Sequence, residues 1–91
     1  MVQFEIKITG KVQNVGFRYF TQKKASELHI NGWVKNSLNG RSVEVVAQGN
    51  ETDVKTFIDY LQNGPSQSRV DELKKYKSTQ LSEFNGFRIK Y

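Results

Sequence analysis

The residues with the clearest chemical potential lie in a short loop, from Gly10 to Arg18, between a predicted strand and a predicted helix. The first amide groups of a helix have no intrahelical partner and lie at the positive end of the helix dipole. Successive amides in a turn form a concave anion site, and Gly16 permits close approach of the backbone. Arg18 falls in the first helical turn, where its planar guanidinium can contact two oxygens of one anion. This arrangement is typical of a phosphate-binding loop.

The same loop also has a purely structural interpretation. A strand-to-helix loop that contains glycine is often only a connection, and an arginine at a helix start is often only solvated. The physics of the loop alone leaves both interpretations open.

Other kinds of active site find little support in the composition. His29 is the only histidine, and the chain has no cysteine, so neither a histidine pair nor a thiolate can bind a metal. The glycine patterns of nucleotide-binding loops are missing, and no two carboxylates stand out as a paired acid and base. We expect His29 to be structural, because a lone histidine has no catalytic partner here.

The length and charge limit the class of protein. Its 91 residues predict one domain, residues 1–91, and the formal net charge of +5 favours anionic partners. These could be phosphorylated metabolites, nucleic acid or a membrane surface, and the charge does not choose among them. No apolar run approaches the ~20 residues of a membrane span. The N-terminus alternates apolar and polar residues, unlike a signal peptide, so we expect a cytoplasmic protein.

Hydrophobic periodicity predicts the elements that hold the loop. Val2–Thr9 alternates apolar and polar residues, as a half-buried strand does. A helix is predicted from Phe17 to the region of His29, with its phenylalanines in the core. A second strand carries Trp33, also predicted to lie in the core. This strand ends near Asn36.

The second half of the chain continues the pattern. Asn39-Gly40 predicts a hairpin into a third strand, Ser42–Gln48. Asn50 is a candidate N-cap for a second helix that ends at Gly64-Pro65. Its apolar stripe is Val54, Phe57, Ile58 and Leu61. Two more strands are predicted, a charged one at Arg69–Lys77, whose lysines Lys74, Lys75 and Lys77 protect an edge, and a short one at Gly86–Tyr91.

The element order β-α-β-β-α-β, with one short extra strand, predicts the fold class. It indicates an α+β protein, a ferredoxin-like βαββαβ sandwich with an antiparallel sheet and two helices on one face. Such a sheet is also the frame of RNA-binding modules, which need stacking aromatics on the central strands. The third strand has none.

Two motifs at a matching separation resemble the acylphosphatase family. Gly10–Arg18 reads GKVQNVGFR beside the family signature G-x-V-Q-G-V-x-F-R, and Gly32–Asn36 reads GWVKN beside G-W-V-x-N. Asn39-Gly40, Gly64-Pro65 and the final Gly86-Phe87-Arg88 are also similar, so the resemblance spans essentially the whole chain.

The resemblance implies a division of roles. Arg18 would bind the substrate phosphate, the loop amides from Gln13 to Arg18 would complete its binding site, and Asn36 would position the attacking water. The contributing loop residues would be Gln13, Asn14, Val15, Gly16, Phe17 and Arg18. The chain departs from the family at Asn14 and His29, where glycine is common, and both residue types tolerate left-handed backbone angles.

The implied reaction suits the residues present. Hydrolysis of an acyl phosphate expels a carboxylate, whose parent acid has a pKa of about 4, so the leaving group needs no proton at neutral pH. We therefore expect direct water attack, with no cofactor and no metal. The expected partners are small acyl phosphates, with inorganic phosphate as product and competitive inhibitor, and neither nucleic acid nor a membrane. We expect a monomer. The alternatives are a nucleic-acid or anion-binding module, or a silent domain of the same fold.

Overall fold

A computed structural model describes residues 1–91 and contains five strands and two helices. In chain order they are β1 (Val2–Lys11), α1 (Phe17–Glu27), β2 (Asn31–Asn36), β3 (Ser42–Gly49), α2 (Glu51–Asn63), β4 (Arg69–Lys77) and β5 (Phe87–Lys90). They form one sheet in the order β4-β1-β3-β2-β5, with both helices on one face. The predicted ferredoxin-like α+β fold is confirmed.

The short extra strand makes the sheet mixed. The pairings among β1, β2, β3 and β4 are antiparallel, as predicted, whereas β5 runs parallel to β2, so the sheet is not antiparallel throughout. The chain crosses from the β4 edge to the β2 edge before β5 begins. Gln3 and Gln48 hold this crossing, because the side-chain Oε1 of Gln3 accepts from the Ser82 amide at 2.8 Å and Nε2 of Gln48 donates to the Ser82 carbonyl at 2.6 Å.

The core lies between the sheet and the helices. The predicted α2 stripe is confirmed: Val54, Phe57, Ile58 and Leu61 are all buried. Burial of one such side chain contributes about 1.5–3 kcal/mol. Phe17 of α1 is also buried, whereas Phe20 and Leu28 pack at the margin of the core.

Trp33 is not in the core, contrary to the prediction. Its neighbour Val34 is fully buried towards the helices, so strand alternation directs Trp33 to the opposite, open face of the sheet. There the ammonium groups of Lys90 and Lys35 lie 4.5 Å and 5.5 Å from the centre of its ring. The predicted edge lysines behave as expected: Lys74, Lys75 and Lys77 are exposed on edge strand β4.

Neither helix has both the length and the apolar character required to cross a lipid bilayer.

Candidate active site

Strand β1 leads into the predicted phosphate-binding loop, Gly10–Arg18, at one end of the sheet. β1 extends to Lys11, two residues into the stretch predicted as loop, and its pairing with β4 shifts register between Thr9 and Gly10. A Cβ atom at Gly10 would lie 2.1 Å from the carbonyl oxygen of Arg69, so only glycine fits there. This close approach directs the chain out of the sheet and into the loop.

Two left-handed residues shape the loop. Asn14 has a φ of 61° and Gly16 a φ of 77°. The expectation that Asn14 adopts left-handed backbone angles is confirmed, and asparagine does so at low energetic cost. None of the amide groups from Gln13 to Tyr19 donates a hydrogen bond to a backbone carbonyl. The loop therefore presents a run of unpaired donors, as an anion site requires.

Helix α1 starts directly from this loop without a side-chain cap. Gly16 is the N-cap residue, and no side chain accepts a hydrogen bond from the first turn. The first turn contains no acidic residue, but it does contain Arg18. A cation at the positive end of a helix is electrostatically unfavourable unless an anion joins it.

Arg18 is held by the C-terminal end of the chain. Its guanidinium carbon lies 4.8 Å from the centre of the Tyr91 ring, and its Nη1 donates to the backbone oxygen of Lys90 at 3.5 Å. The loop, Tyr19, Ile89 and Tyr91 enclose a hollow of about 170 Å³. Sequence reasoning missed Tyr91 as a site residue, although its alternation with Ile89 indicates the helix side of the sheet.

Asn36 lies at the start of the β2–β3 hairpin turn, which is bonded to the loop. Asn36 is the last residue of β2 and is half-buried, on the same side of the strand as Val34. It does not line the hollow around Arg18. The loop is joined to the hairpin instead through Gln13, whose Nε2 donates to the carbonyl of Ser37, the residue after Asn36, at 2.9 Å. Through Gln13 and Ser37, the structure thus brings the end of β2 that carries Asn36 next to the loop that carries Arg18.

The side chains whose pKa values are shifted lie on β4, outside the loop. Hydrogen bonding to Arg69 lowers the pKa of the Asp71 carboxyl and raises the pKa of the Arg69 guanidinium. The hydroxyl of Tyr76 donates to Glu5, which raises the pKa of the phenol. These pairs are exposed, and exposed pairs contribute little to stability. None of them includes Asn36 or a residue of the loop.

The largest hollow, about 520 Å³, lies along α1 and the start of β2 and includes His29. His29 is exposed, with a φ of 57°, two residues after the end of α1. Its amide donates to the carbonyl of Ser26 at 3.4 Å. This geometry closes the helix C-terminus, a structural role that matches the expectation. The hollow is larger than the one at Arg18, but no run of unpaired loop amides faces it.

Comparison with known proteins agrees with the motifs. The acylphosphatase family model matches residues 4–89. An acylphosphatase of Syntrophus aciditrophicus is 43% identical over 91 residues, 100% of this chain and 94% of the relative. The crystal structure of the Bacillus subtilis acylphosphatase superimposes with a TM-score of 0.95 at 40% identity, covering 100% of both chains.

A similar domain also occurs inside a longer protein. The crystal structure of HypF from T. kodakarensis superimposes with a TM-score of 0.85 at 34% identity. The match covers 100% of this chain but only 12% of HypF. The family model and the relatives that match from end to end decide the assignment: this chain belongs to the acylphosphatase family, hydrolases that cleave the anhydride bond of acyl phosphates.

Proposed function

We propose that the phosphate-binding loop and Arg18 bind the phosphoryl group of an acyl phosphate while Asn36 orients the attacking water. One observation carries this proposal. The amides from Gln13 to Tyr19 have no backbone partner at the uncapped, positive end of α1, where Arg18 adds a further positive charge. A bound phosphoryl group satisfies the donors and balances the charge together.

The chemistry of the leaving group explains why such a site is sufficient. Water attacks phosphorus, a new P–O bond forms, and the bond between phosphorus and the acyl oxygen breaks with its electron pair leaving on the carboxylate. A carboxylate is stable at neutral pH without a proton. A phosphate monoester would expel an alkoxide and would normally need an acid or a metal ion. The proposed reaction is therefore independent of metal and cofactor.

The loop and Arg18 stabilise the transition state by electrostatics. Charge spreads over the equatorial oxygens of the transferring phosphoryl group, and preorganised donors aimed at those oxygens lower the barrier. The contact of Arg18 with Tyr91 and Lys90 keeps the guanidinium beside the loop before substrate arrives. This preorganisation reduces the reorganisation that binding would otherwise require.

Asn36 contributes orientation. Its side-chain carbonyl oxygen can accept a hydrogen bond from water, but an amide is not an effective base. The water proton passes to a phosphoryl oxygen of the substrate, so no protein group needs to titrate. Inorganic phosphate, the product, retains the oxygens that the loop recognises and should inhibit competitively.

The sheet supports the proposal that nucleic acid is not a partner. The open face of the two central strands presents Glu5, Lys7, Glu44 and Val46, without an aromatic side chain. RNA-binding modules of this topology stack bases on aromatics at such positions. Two carboxylates there also repel a polyanion.

We further propose that residues 1–91 act as a single-domain monomer in the cytoplasm. The loop, Arg18 and Asn36 all come from one chain, and the elements that hold them share one sheet and one core. Sedimentation of the active enzyme tests the monomer.

Hydrolysis of benzoyl phosphate in EDTA tests the proposed reaction, with p-nitrophenyl phosphate as the monoester control. We expect rapid release of benzoate and phosphate in EDTA and little cleavage of the monoester. Loss of activity in EDTA, or cleavage of the monoester alone, would contradict the proposal.

A further inference from the structure

The side chain of Gln13 bonds to the protein rather than facing the anion site. Its Nε2 donates to the carbonyl oxygens of Ser37 and Ser42, each at 2.9 Å. A primary amide carries two N–H donors, so both are occupied. Ser37 directly follows β2, and Ser42 opens β3. Gln13 therefore joins the phosphate-binding loop to both ends of the hairpin turn.

The acceptors belong to a well-fixed part of the hairpin. Ser42 is fully buried, and its hydroxyl lies 3.1 Å from the hydroxyl of Thr9 and 3.2 Å from the side-chain nitrogen of Asn39. The Ser42 carbonyl also accepts from the amide of Ser37 at 2.9 Å. Gln13 thus bonds to a rigid point rather than to a mobile turn.

Few other contacts hold the loop in place. Val12 and Phe17 are buried in the core on either side of it, while Asn14 and Gly16 are exposed. The Gly10 amide donates to the carbonyl of Arg41 in the hairpin turn at 3.0 Å, but the amides from Gln13 to Tyr19 donate to no backbone carbonyl. The Gln13 bonds are therefore the polar link between the part of the loop beyond Gly10 and the hairpin.

We propose that Gln13 is a positioning residue that keeps the phosphate-binding loop in register with Asn36. The inference rests on the proposed function, because it assigns Gln13 a role between the phosphoryl site and the water-orienting residue. The bond to Ser37 fixes the loop relative to the backbone one residue from Asn36. In-line attack requires the water and the phosphorus to be aligned, and an error of about 1 Å can lower turnover by about 10²-fold.

This role predicts a separation of turnover from binding. The anion site is built locally from the loop amides and Arg18, so phosphate should bind without the Gln13 side chain. The bound phosphoryl group and the attacking water should, however, be less well aligned. We expect Gln13→Met, which keeps the length and removes both donors, to lower kcat by about 10- to 100-fold, with the Ki of inorganic phosphate changed by less than about 3-fold.

A double-mutant cycle with Asn36→Ala provides the test. If Gln13 acts through Asn36, Gln13→Met should change kcat by less than about 3-fold in the Asn36→Ala background, because there is no oriented water left to misalign. Gln13→Ala is the second variant of the same test, and both are assayed below their measured unfolding temperatures.

Gln48→Ala is the matched control. Gln48 lies near the end of β3 and also donates to a backbone carbonyl, that of Ser82 in the crossing segment, at 2.6 Å. Its loss should lower the free energy of unfolding and leave kcat unchanged, which separates loss of stability from misalignment.

The outcomes are distinguishable. If Asn36→Ala keeps the wild-type kcat, the proposed function fails, and the role of Gln13 fails with it. If Asn36→Ala is impaired but Gln13→Met has the wild-type kcat, only the role of Gln13 fails. Equal losses in both backgrounds, or a loss of phosphate affinity that parallels the loss of kcat, would also overturn it.

Discussion

The two helices of this protein begin in opposite ways. Helix α2 begins after Asn50, whose Oδ1 accepts a hydrogen bond of 3.0 Å from a first-turn amide, and Glu51 and Asp53 place negative charge in that turn. Helix α1 begins after Gly16 with no side-chain cap, no acidic residue in the first turn, and Arg18 within it. One terminus satisfies its own donors and dipole, and the other satisfies neither.

The difference separates stability from function. A cap such as Asn50 contributes about 1 kcal/mol, and acidic residues near it add a few tenths to 1 kcal/mol each. The start of α1 forgoes these contributions and places a cation where the dipole disfavours one. Local rules are commonly broken at functional sites. An anionic substrate supplies what the chain omits, so a ligand completes the start of α1, whereas the chain itself completes the start of α2.

The largest effect should follow from loss of the charge at α1. We expect Arg18→Ala to lower kcat/KM by about 10³-fold or more, because the transition-state charge loses a bidentate donor. Arg18→Lys should recover only part of the activity, since an ammonium lacks the planar fork. Benzoyl phosphate hydrolysis measures both. Wild-type turnover by Arg18→Ala would contradict the proposal that the start of α1, unlike that of α2, binds the substrate.

Asn36→Ala should lower kcat by about 10²–10³-fold, as loss of one preorganised polar group does. Asn36 belongs to the hairpin and not to α1, so we expect the Ki of inorganic phosphate to remain close to that of the wild type. Steady-state kinetics with and without phosphate separate the two quantities. A large rise in Ki would instead place Asn36 in the phosphoryl site.

Inorganic phosphate should stabilise the fold by completing the start of α1. At 100 times its dissociation constant, a ligand that binds only the folded state adds about 2.7 kcal/mol, enough to raise the Tm by about 10 °C or more. Thermal unfolding of the wild type and Asn50→Ala should show equal shifts. Arg18→Ala should show little shift at the same phosphate concentration, and a full shift there would contradict the role of Arg18 in binding.

Asn50→Ala should lower stability and leave turnover unchanged. Loss of this cap is expected to lower the free energy of unfolding by about 0.5–2 kcal/mol, because a first-turn amide of α2 loses its acceptor. Urea denaturation measures the change. The kcat for benzoyl phosphate should stay at the wild-type value, and a comparable fall in kcat would show that the two termini are coupled.

The smallest effect is expected within the loop before α1. Asn14 has left-handed angles, so Asn14→Ala should lower the free energy of unfolding by about 1 kcal/mol, the penalty that a Cβ incurs there. Asn14→Gly should leave it within about 0.5 kcal/mol, since asparagine already tolerates this region. Urea denaturation of the pair measures the difference, and equal values for both variants would argue against left-handed backbone at this position.

Much of the fold could be predicted because its signals are local. The period-two pattern of β1, the four-residue stripe of α2 and the Asn50 cap each depend on residues within a few positions of one another, and each is confirmed. The left-handed backbone of Asn14 was also predictable, because residue type and conformation are linked at a single position. The loop as a candidate anion site follows from the same local chemistry.

The features that sequence reasoning missed depend on contacts between distant residues. Trp33 was predicted to be buried from its residue type, but pairing with β3 and β5 determines which face of the sheet it occupies. The Tyr91 ring reaches Arg18 only because β5 lies parallel to β2. Gln13 bonds to the hairpin only once both segments reach the same end of the sheet. Residue types and spacing thus indicate which groups are available for chemistry. Strand pairing and packing determine which of these groups meet, because both depend on residues that are far apart in the chain.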